Sequence, residues 1–356
     1  MGKDTRNHLL LYLNLGYALL IVYASLYPLA GWRDSGVEAL AFVGAAWPRY
    51  YTSFDLASNV FAYLPFGFLC AATLRIRLAP LAACLLAAAL GASLSLGLEL
   101  VQNYLPNRVP SNLDLGCNTL GALLGAAAGA RWGRFILSER HHAIWQGHVV
   151  TRAYGADLGV LLMAAWLMTQ LSPDILLFGT GDLRQLFDLP PVQDFDPERF
   201  AGVETTIAAS GMLAAALLAQ LLLHRRERQL TLLLLLAALL VKTLAQALIA
   251  GPGAALAWLT PGNGRGLAIG LVLWCLASFL AAPARRAMAA LALLFATVMV
   301  NAAPENPYLH HMAQFWQSGQ FLNFNGLTRL VCSLWPFLAL PWLMIYRPET
   351  PHARDY

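Results

Sequence analysis

Residues 79–108 read APLAACLLAAALGASLSLGLELVQNYLPNR, a long apolar run followed by a polar end. Its apolar part, 79–101, contains a single charged side chain, Glu99, close to its far end. A helix that crosses the hydrocarbon core of a bilayer needs about 20 mostly apolar residues. The stretch therefore predicts a transmembrane helix that carries a carboxylate near one end.

The rest of the chain repeats this pattern. Hydrophobic residues make up 58% of the sequence and charged residues 12%, whereas soluble domains carry about 25% charged residues. We therefore predict an all-α, polytopic transmembrane bundle of about ten helices. The predicted spans are 9–30, 55–74, 79–101, 114–130, 154–171, 203–223, 230–250, 265–282, 288–303 and 326–346. The shorter apolar stretch 38–48 is interpreted as interfacial or re-entrant.

The arginines lie mostly between the predicted spans, and every second loop is richer in them. Because cytoplasmic loops carry an excess of Lys and Arg, this pattern predicts that both termini are cytoplasmic. The net charge of +4 is small, and the arginines are better explained as topology signals than as a nucleic-acid-binding surface.

A basic stretch, 131–153, divides the chain into two predicted domains. Residues 1–135 would form a four-helix membrane domain, and residues 136–356 a six-helix membrane domain with long extracytoplasmic loops at 172–202 and 304–325. The first of these loops is acidic and could bind a hard cation such as calcium. A solvated loop is the favoured interpretation, so we predict no metal site and no cofactor.

Polar residues recur at the start of two predicted helices. Asp55 and Asn59 are four residues apart, and so are Asp114 and Asn118, which places each pair on one helix face. Gly121 and Gly125 continue down the face of the second pair and predict a GxxxG packing seam. Helix capping would explain Asp55 but not Asn59, which lies one turn deeper. Polar groups at membrane depth usually face a bundle interior or an aqueous cavity, and they often mark function.

A second set of polar residues ends the helix at 79–101 and continues into the loop after it. Glu99 and Gln102 extend a stripe that begins with Gly91 and Ser95, small residues that let a neighbouring helix approach closely. The polar side chains at its end should have partners. Arg108 lies between Pro106 and Pro110, and arginine suits bidentate binding of phosphate or carboxylate. A salt bridge from Arg108 to Glu99 or Asp114 explains it equally well, and the two interpretations are compatible.

The predicted orientation places all of these residues on the extracytoplasmic side. We predict that they converge in one site. The catalytic candidates are Asp55, Glu99 and Asp114, and the substrate-binding candidates are Asn59, Gln102, Arg108 and Asn118.

This arrangement resembles the VanZ-like family of bacterial membrane proteins. The matching pattern covers roughly the first 135 residues and runs from Asp55 and Asn59 through Pro65, Gly67, Glu99, Gln102, Pro106, Arg108, Asp114, Asn118 and Gly121 to Gly125. The resemblance implies a multi-pass protein of the bacterial inner membrane. It also implies a connection with the cell envelope, because the namesake of the family is linked to low-level resistance to the glycopeptide teicoplanin. It supplies no reaction.

Three classes of function remain open from the sequence. The chain could act on a lipid-linked or surface-glycan intermediate of the envelope, with membrane lipids or a lipid-linked phosphate as ligand. The absence of a nucleophilic Ser/His or Cys/His pair at the outer face of the front helices weighs against such an enzyme. The alternatives are a transporter or lipid-handling protein and a structural or assembly partner of an envelope-pathway protein.

One polar residue of the rear part also stands out. Lys242 lies in the middle of a predicted span, and a buried lysine needs a partner. Glu204, or a carboxylate of the front cluster, could be that partner.

Overall fold

The computed structural model describes residues 3–348, except 27–28, 30, 35, 49–50, 52, 107, 137–148, 152, 173–174, 188, 191, 225 and 307–323. Within the described residues, the regular secondary structure is helical apart from a two-residue antiparallel ladder between Ala153–Tyr154 and Arg347–Pro348 and a single bridge between Val150 and Leu223. Ten long helices follow one another: α1 Lys3–Leu26, α2 Ser53–Leu74, α3 Pro80–Gln102, α4 Asn112–Ile136, α5 Ala156–Thr169, α6 Pro197–Leu222, α7 Glu227–Ala250, α8 Pro261–Ala277, α9 Ala282–Ala302 and α10 Phe324–Ile345.

The fold class predicted from the sequence is confirmed, and the chain is a multi-pass membrane protein. Within the described residues, six helices are long and apolar enough to cross a membrane: α2, α3, α6, α7, α9 and α10. Two shorter apolar stretches are Leu13–Leu26 of α1 and Ala156–Thr169, which is α5. The orientation of the termini stays a prediction.

The predicted boundaries differ from the observed ones by up to six residues; α4, for example, was expected to end at residue 130 and continues to Ile136. Hydropathy ends the span where Arg131 begins a polar stretch. The helix continues because its backbone hydrogen bonds do not depend on whether the side chains are apolar. The short segment 38–48 contains one 3-10 turn, Ala41–Gly44, whose Phe42 side chain is buried.

The chain divides into two compact units. The first contains α1 to α4, and the second contains α5 to α9 and α10 from Thr328 onward. The boundary at residue 135 that the sequence suggested for the front domain stays a prediction.

A glycine seam holds α2 and α4 of the first unit together. Methyl groups on three glycines of α4 would overlap carbonyl oxygens of α2: Gly121 with Val60, Gly125 with Leu64 and Gly129 with Phe68. Both series rise along the chain in steps of four, so the two helices run parallel. Small residues allow helix backbones to approach this closely. The seam therefore places the first turns of α2 and α4 side by side.

The second unit is built around α6. Every side chain of this helix from Ile207 to Leu222 is buried, and the helix packs against α5, α7, α8 and α9. A helix that is hydrophobic all round is typical of the core of a large protein or membrane bundle.

Candidate functional site

The polar residues of the first unit meet at one end of its helices. α2 and α4 begin there, and α3, which runs the other way, ends there. The loop 103–111 between α3 and α4 covers the same end. The polar positions that the sequence placed early in two helices and late in a third therefore become neighbours.

Two buried hydrogen bonds connect the three helices at this end. The Asn59 amide of α2 donates to Asp114 Oδ1 of α4 over 3.0 Å. The Asn118 amide, one turn further along α4, donates to the Ser95 hydroxyl of α3 over 2.9 Å. Each asparagine thus donates a hydrogen bond to a neighbouring helix. These two bonds fix the helices relative to one another and so position the other polar groups of the site.

Glu99 and Gln102 each take a backbone partner. The Ser111 amide donates to Glu99 Oε2 over 2.9 Å, and the Gln102 amide donates to the Ser25 carbonyl of α1 over 3.0 Å. Glu99 is only 3% exposed. Hydrogen bonds from backbone amides stabilise a carboxylate, and burial destabilises its charge. The loop before α4 therefore fixes the position of the acid at the end of α3.

Arg108 lies in that loop, outside the membrane-spanning helices, and is half-buried. Its Nη2 donates to the Ala24 carbonyl at 3.5 Å. Burial lowers the pKa of the guanidinium, and the nearby charges of Glu99 and Asp114 act in the opposite direction. Because arginine keeps its proton in proteins, Arg108 supplies a positive charge between the two acids.

A small enclosed cavity lies among these groups. Its volume is about 20 Å³, and its lining is Ser25, Asn59, Tyr63, Leu98, Glu99, Gln102, Arg108, Val109, Asp114 and Asn118. A cavity needs about 10–15 Å³ on this measure to hold one water molecule. Two oxygens of its lining residues, the Tyr63 hydroxyl and Asn118 Oδ1, are buried without a hydrogen-bond partner in the described structure.

A wider groove adjoins the cavity on the loop side. Its volume is about 570 Å³, and its wall is formed by the segment 33–45 and by residues 103–110. Charged side chains of both signs line it, namely Arg33, Asp34, Glu38 and Arg108. Arg108 and Val109 belong to the lining of both the groove and the cavity. A group bound in the groove at Arg108 is therefore next to the polar cavity.

The comparison with protein families identifies this part of the chain. Residues 11–132 match the family described as VanZ/LLP1. The resemblance predicted from the sequence is confirmed over this stretch, which contains all seven predicted site residues. The comparisons with curated proteins and with solved structures gave no match.

Six of the seven predicted residues line the cavity of the VanZ-like part. The seventh, Asp55, lies in the first turn of α2, and its side chain is outside the described residues. The functional roles assigned to the seven stay predictions. The Gly121 and Gly125 seam, predicted for helix packing, has the expected close contacts.

Several groups of the VanZ-like site were missed by the sequence reasoning. Tyr63 follows Asn59 by four residues on the same face of α2, so the spacing contained a signal for it. The Ser25 carbonyl and the Ser111 amide are backbone groups, and no residue type predicts their use. Ser95 was interpreted as a small packing residue, but its hydroxyl accepts the Asn118 hydrogen bond.

Among the described residues, no group of three or more His, Cys, Asp or Glu side chains is arranged to hold a metal ion. The Asp114 and Glu99 carboxylates accept hydrogen bonds from the Asn59 and Ser111 amides.

Lys242 of the second unit has partners of a different kind from those expected. Its ammonium group donates to the carbonyls of Ser172 and Ile175 over 2.6 and 2.8 Å. Glu204, the partner suggested from the sequence, accepts a hydrogen bond from the Thr260 hydroxyl over 2.6 Å. The lysine thus fastens α7 to the segment that follows α5.

Proposed function

We propose that this chain is a bacterial inner-membrane protein that acts on or supports a cell-envelope pathway. Its ligand is the phosphate-bearing headgroup of a lipid or lipid-linked glycan intermediate, bound at the extracytoplasmic end of the VanZ-like part. The observation that carries the proposal is the position of Arg108, a half-buried guanidinium shared by the groove and the polar cavity.

The charges of the groove suit such a headgroup. Arginine binds phosphate oxygens with paired hydrogen bonds, and Arg33 adds a second cation to the wall. Asp34 and Glu38 are acceptors, which suit hydroxyl donors such as those of a sugar. A ligand that carries both phosphate and hydroxyl groups would satisfy the mixed lining better than a simple anion.

The size of the groove and its apolar wall support a lipid as the ligand. Ligand sites are usually 300–1,000 Å³ in volume, and the groove is about 570 Å³. Val37 and Val109 of its wall are well exposed, at 58% and 77%. An exposed apolar rim beside charged groups fits a molecule whose headgroup is polar and whose tail stays in the bilayer.

Lipid analysis of the purified full chain tests the proposal. We expect mass spectrometry to find one phosphate-bearing lipid or lipid-linked sugar enriched over the bulk membrane lipids. Arg108→Ala should reduce the enrichment at least tenfold, because removing a phosphate-binding arginine costs more than one hydrogen bond. Arg108→Lys should keep part of it, since lysine keeps the charge but not the planar fork.

Arg75→Ala is the matched control. Arg75 is also half-buried and also donates to backbone carbonyls, those of Ala130 and Leu78, but it lies at the opposite end of the same helices. Its loss should leave the lipid enrichment unchanged. Equal lipid profiles for the wild-type and Arg108→Ala proteins would contradict the proposal.

The envelope role has its own test. Expression of the wild-type chain in a teicoplanin-sensitive bacterium should change its susceptibility to the drug, and Arg108→Ala at equal membrane abundance should not. The same susceptibility with both proteins would argue against a role of this site in the envelope.

A further inference from the structure

The small cavity beside Arg108 has the properties of a site for one ordered water molecule. Its volume, about 20 Å³, is sufficient for one water molecule. Tyr63 and Asn118 are 1% and 6% exposed, and each has a buried oxygen that, in the described structure, accepts no hydrogen bond and donates none at normal geometry, although the Ser95 hydroxyl lies close to that of Tyr63. Buried polar atoms in native proteins are almost always paired with protein or with ordered water.

The two oxygens have complementary hydrogen-bonding roles. Asn118 has already used its amide to donate to Ser95, so its free Oδ1 can only accept. The Tyr63 hydroxyl can donate as well as accept. A water molecule that donates one hydrogen to Asn118 and accepts the Tyr63 hydroxyl hydrogen satisfies both atoms and still has one hydrogen to donate.

The remaining hydrogen has a suitable acceptor in Glu99, which lines the same cavity. The Ser111 amide holds Glu99 Oε2, which leaves Oε1 as the oxygen that accepts from a ligand in the cavity. The water would thus be held by three side chains, one each from α2, α3 and α4.

We infer that this water is the nucleophile of a hydrolytic reaction, and that the site cleaves a phosphoester. The inference rests on the proposed function, because the phosphate is the one bound at Arg108. Arg108 and Val109 line both the groove and the cavity, so a phosphate at the guanidinium lies next to the water. The substrate class is a lipid-linked phosphoester or diphosphate.

The step balances with the residues present. The water oxygen attacks phosphorus, a new P–O bond forms, and the bond from phosphorus to the leaving oxygen breaks. Glu99 accepts the proton of the water and later releases it to solvent, and the leaving oxygen, on the opposite side of phosphorus, takes a proton from solvent in the groove. Arg108 stabilises the negative charge that develops on the phosphoryl oxygens. No oxidant, reductant or organic co-substrate is needed, and water serves as the nucleophile in place of a side chain.

Isotope labelling of the full chain in detergent micelles tests the inference. Two probes distinguish the sources of phosphate: a polyprenyl diphosphate linked to N-acetylglucosamine, and phosphatidylglycerol. In H₂¹⁸O, one ¹⁸O atom should enter the phosphate product of one probe per turnover. Glu99→Gln should lower the rate at least 100-fold, as expected for loss of a general base, and Tyr63→Phe should lower it about tenfold.

Matched variants separate this effect from damage to the fold. Tyr17→Phe removes a hydroxyl that donates to the Ala62 carbonyl outside the cavity, and it should leave the rate unchanged. Glu204→Gln neutralises a buried acid of the second unit, and it should also have no effect. Hydrolysis that responds equally to Tyr63→Phe and Tyr17→Phe would overturn the inference.

The outcome also separates the inference from the proposed function. Phosphate products without ¹⁸O, or no hydrolysis of either probe by a chain that still retains its lipid, would overturn the inference alone. Equal lipid retention by the wild-type and Arg108→Ala proteins would overturn the proposed function as well.

Discussion

Asn59 shows how a single side chain assembles the site. It is 2% exposed, and its amide spans the gap between α2 and α4 to reach Asp114. A buried carboxylate is costly unless hydrogen bonds compensate for the water it has lost. The asparagine thus stabilises the acid and at the same time fixes the register of the two helices at the site.

Replacing Asn59 by leucine tests this contribution. The side chain keeps its approximate size, but Asp114 loses a buried donor, which should cost about 1–3 kcal/mol. We expect a lower thermal unfolding midpoint of the purified protein in detergent. Asn103→Leu is the control, because that amide donates to the Val37 carbonyl at the surface, where water can replace it. Equal midpoints for the two variants would contradict the prediction.

Lys242 allows a second test at the residue scale. Lys242→Met keeps the length of the side chain but removes the donor to the carbonyls of Ser172 and Ile175. Leaving buried carbonyls with fewer hydrogen bonds should destabilise the second unit by about 1–3 kcal/mol. Hydrogen exchange should become faster around residues 170–176. Leu244→Met, on the exposed side of the same helix, should change neither measurement.

The sequence predicted most of the side chains that belong to the site, but it did not predict the shape of the site. Asn59, Asp114 and Asn118 stand out because helix geometry is local, so a spacing of four residues already fixes a common face. The Ser111 amide that holds Glu99 could not be predicted, because its direction depends on how the loop 103–111 folds. The groove depends on the packing of the segment 33–45, which has no periodic pattern.

At the scale of elements, the α2–α4 seam determines whether a site forms. The glycines of α4 let its backbone contact the α2 carbonyls, and the hydrogen bond between Asn59 and Asp114 is possible only at that separation. The sequence predicted the start of this seam from Gly121 and Gly125. It did not show which helix would pack there, because a small-residue face suits any neighbour.

Gly125→Ala tests the seam. Its methyl group would meet the Leu64 carbonyl oxygen, which cannot move without displacing α2, so we expect a loss of stability of about 1–3 kcal/mol. Lipid retention should fall as well, since the two helices must separate. Gly116→Ala on the same helix is the control. Nothing lies within 4 Å of the added methyl group, and higher helix propensity should stabilise the protein by up to about 1 kcal/mol.

For the whole molecule, the main prediction is the side of the membrane on which the site lies. The arginine distribution predicts cytoplasmic termini and an extracytoplasmic site. Hydropathy predicted the number of helices, because a helix buried in lipid requires a long apolar run. Hydropathy predicted the ends of the helices less accurately, because a helix can continue into polar surroundings. The extension of α4 to Ile136 is an example.

Cysteine labelling tests the direction. In a chain whose five cysteines, Cys70, Cys84, Cys117, Cys275 and Cys332, are replaced by alanine, single cysteines are introduced by Val109→Cys and Ile76→Cys. Both positions are exposed and lie at opposite ends of the first unit. A membrane-impermeant maleimide should label position 109 in intact cells and position 76 only after the membrane is opened. The reverse pattern would place the site in the cytoplasm.

The loop before α6 has a consequence for synthesis of the protein. Two of its backbone carbonyls near Asp182 accept hydrogen bonds from side chains that come much later in the chain. Asn301 donates to the Gly181 carbonyl, and Ser333, 151 residues after Asp182, donates to the Asp182 carbonyl. At about 5–20 residues per second, the ribosome needs roughly 8–30 s to supply Ser333. During that time the loop cannot complete its native contacts, so a translocation channel or an insertase should hold the nascent second unit until its last helix has been made.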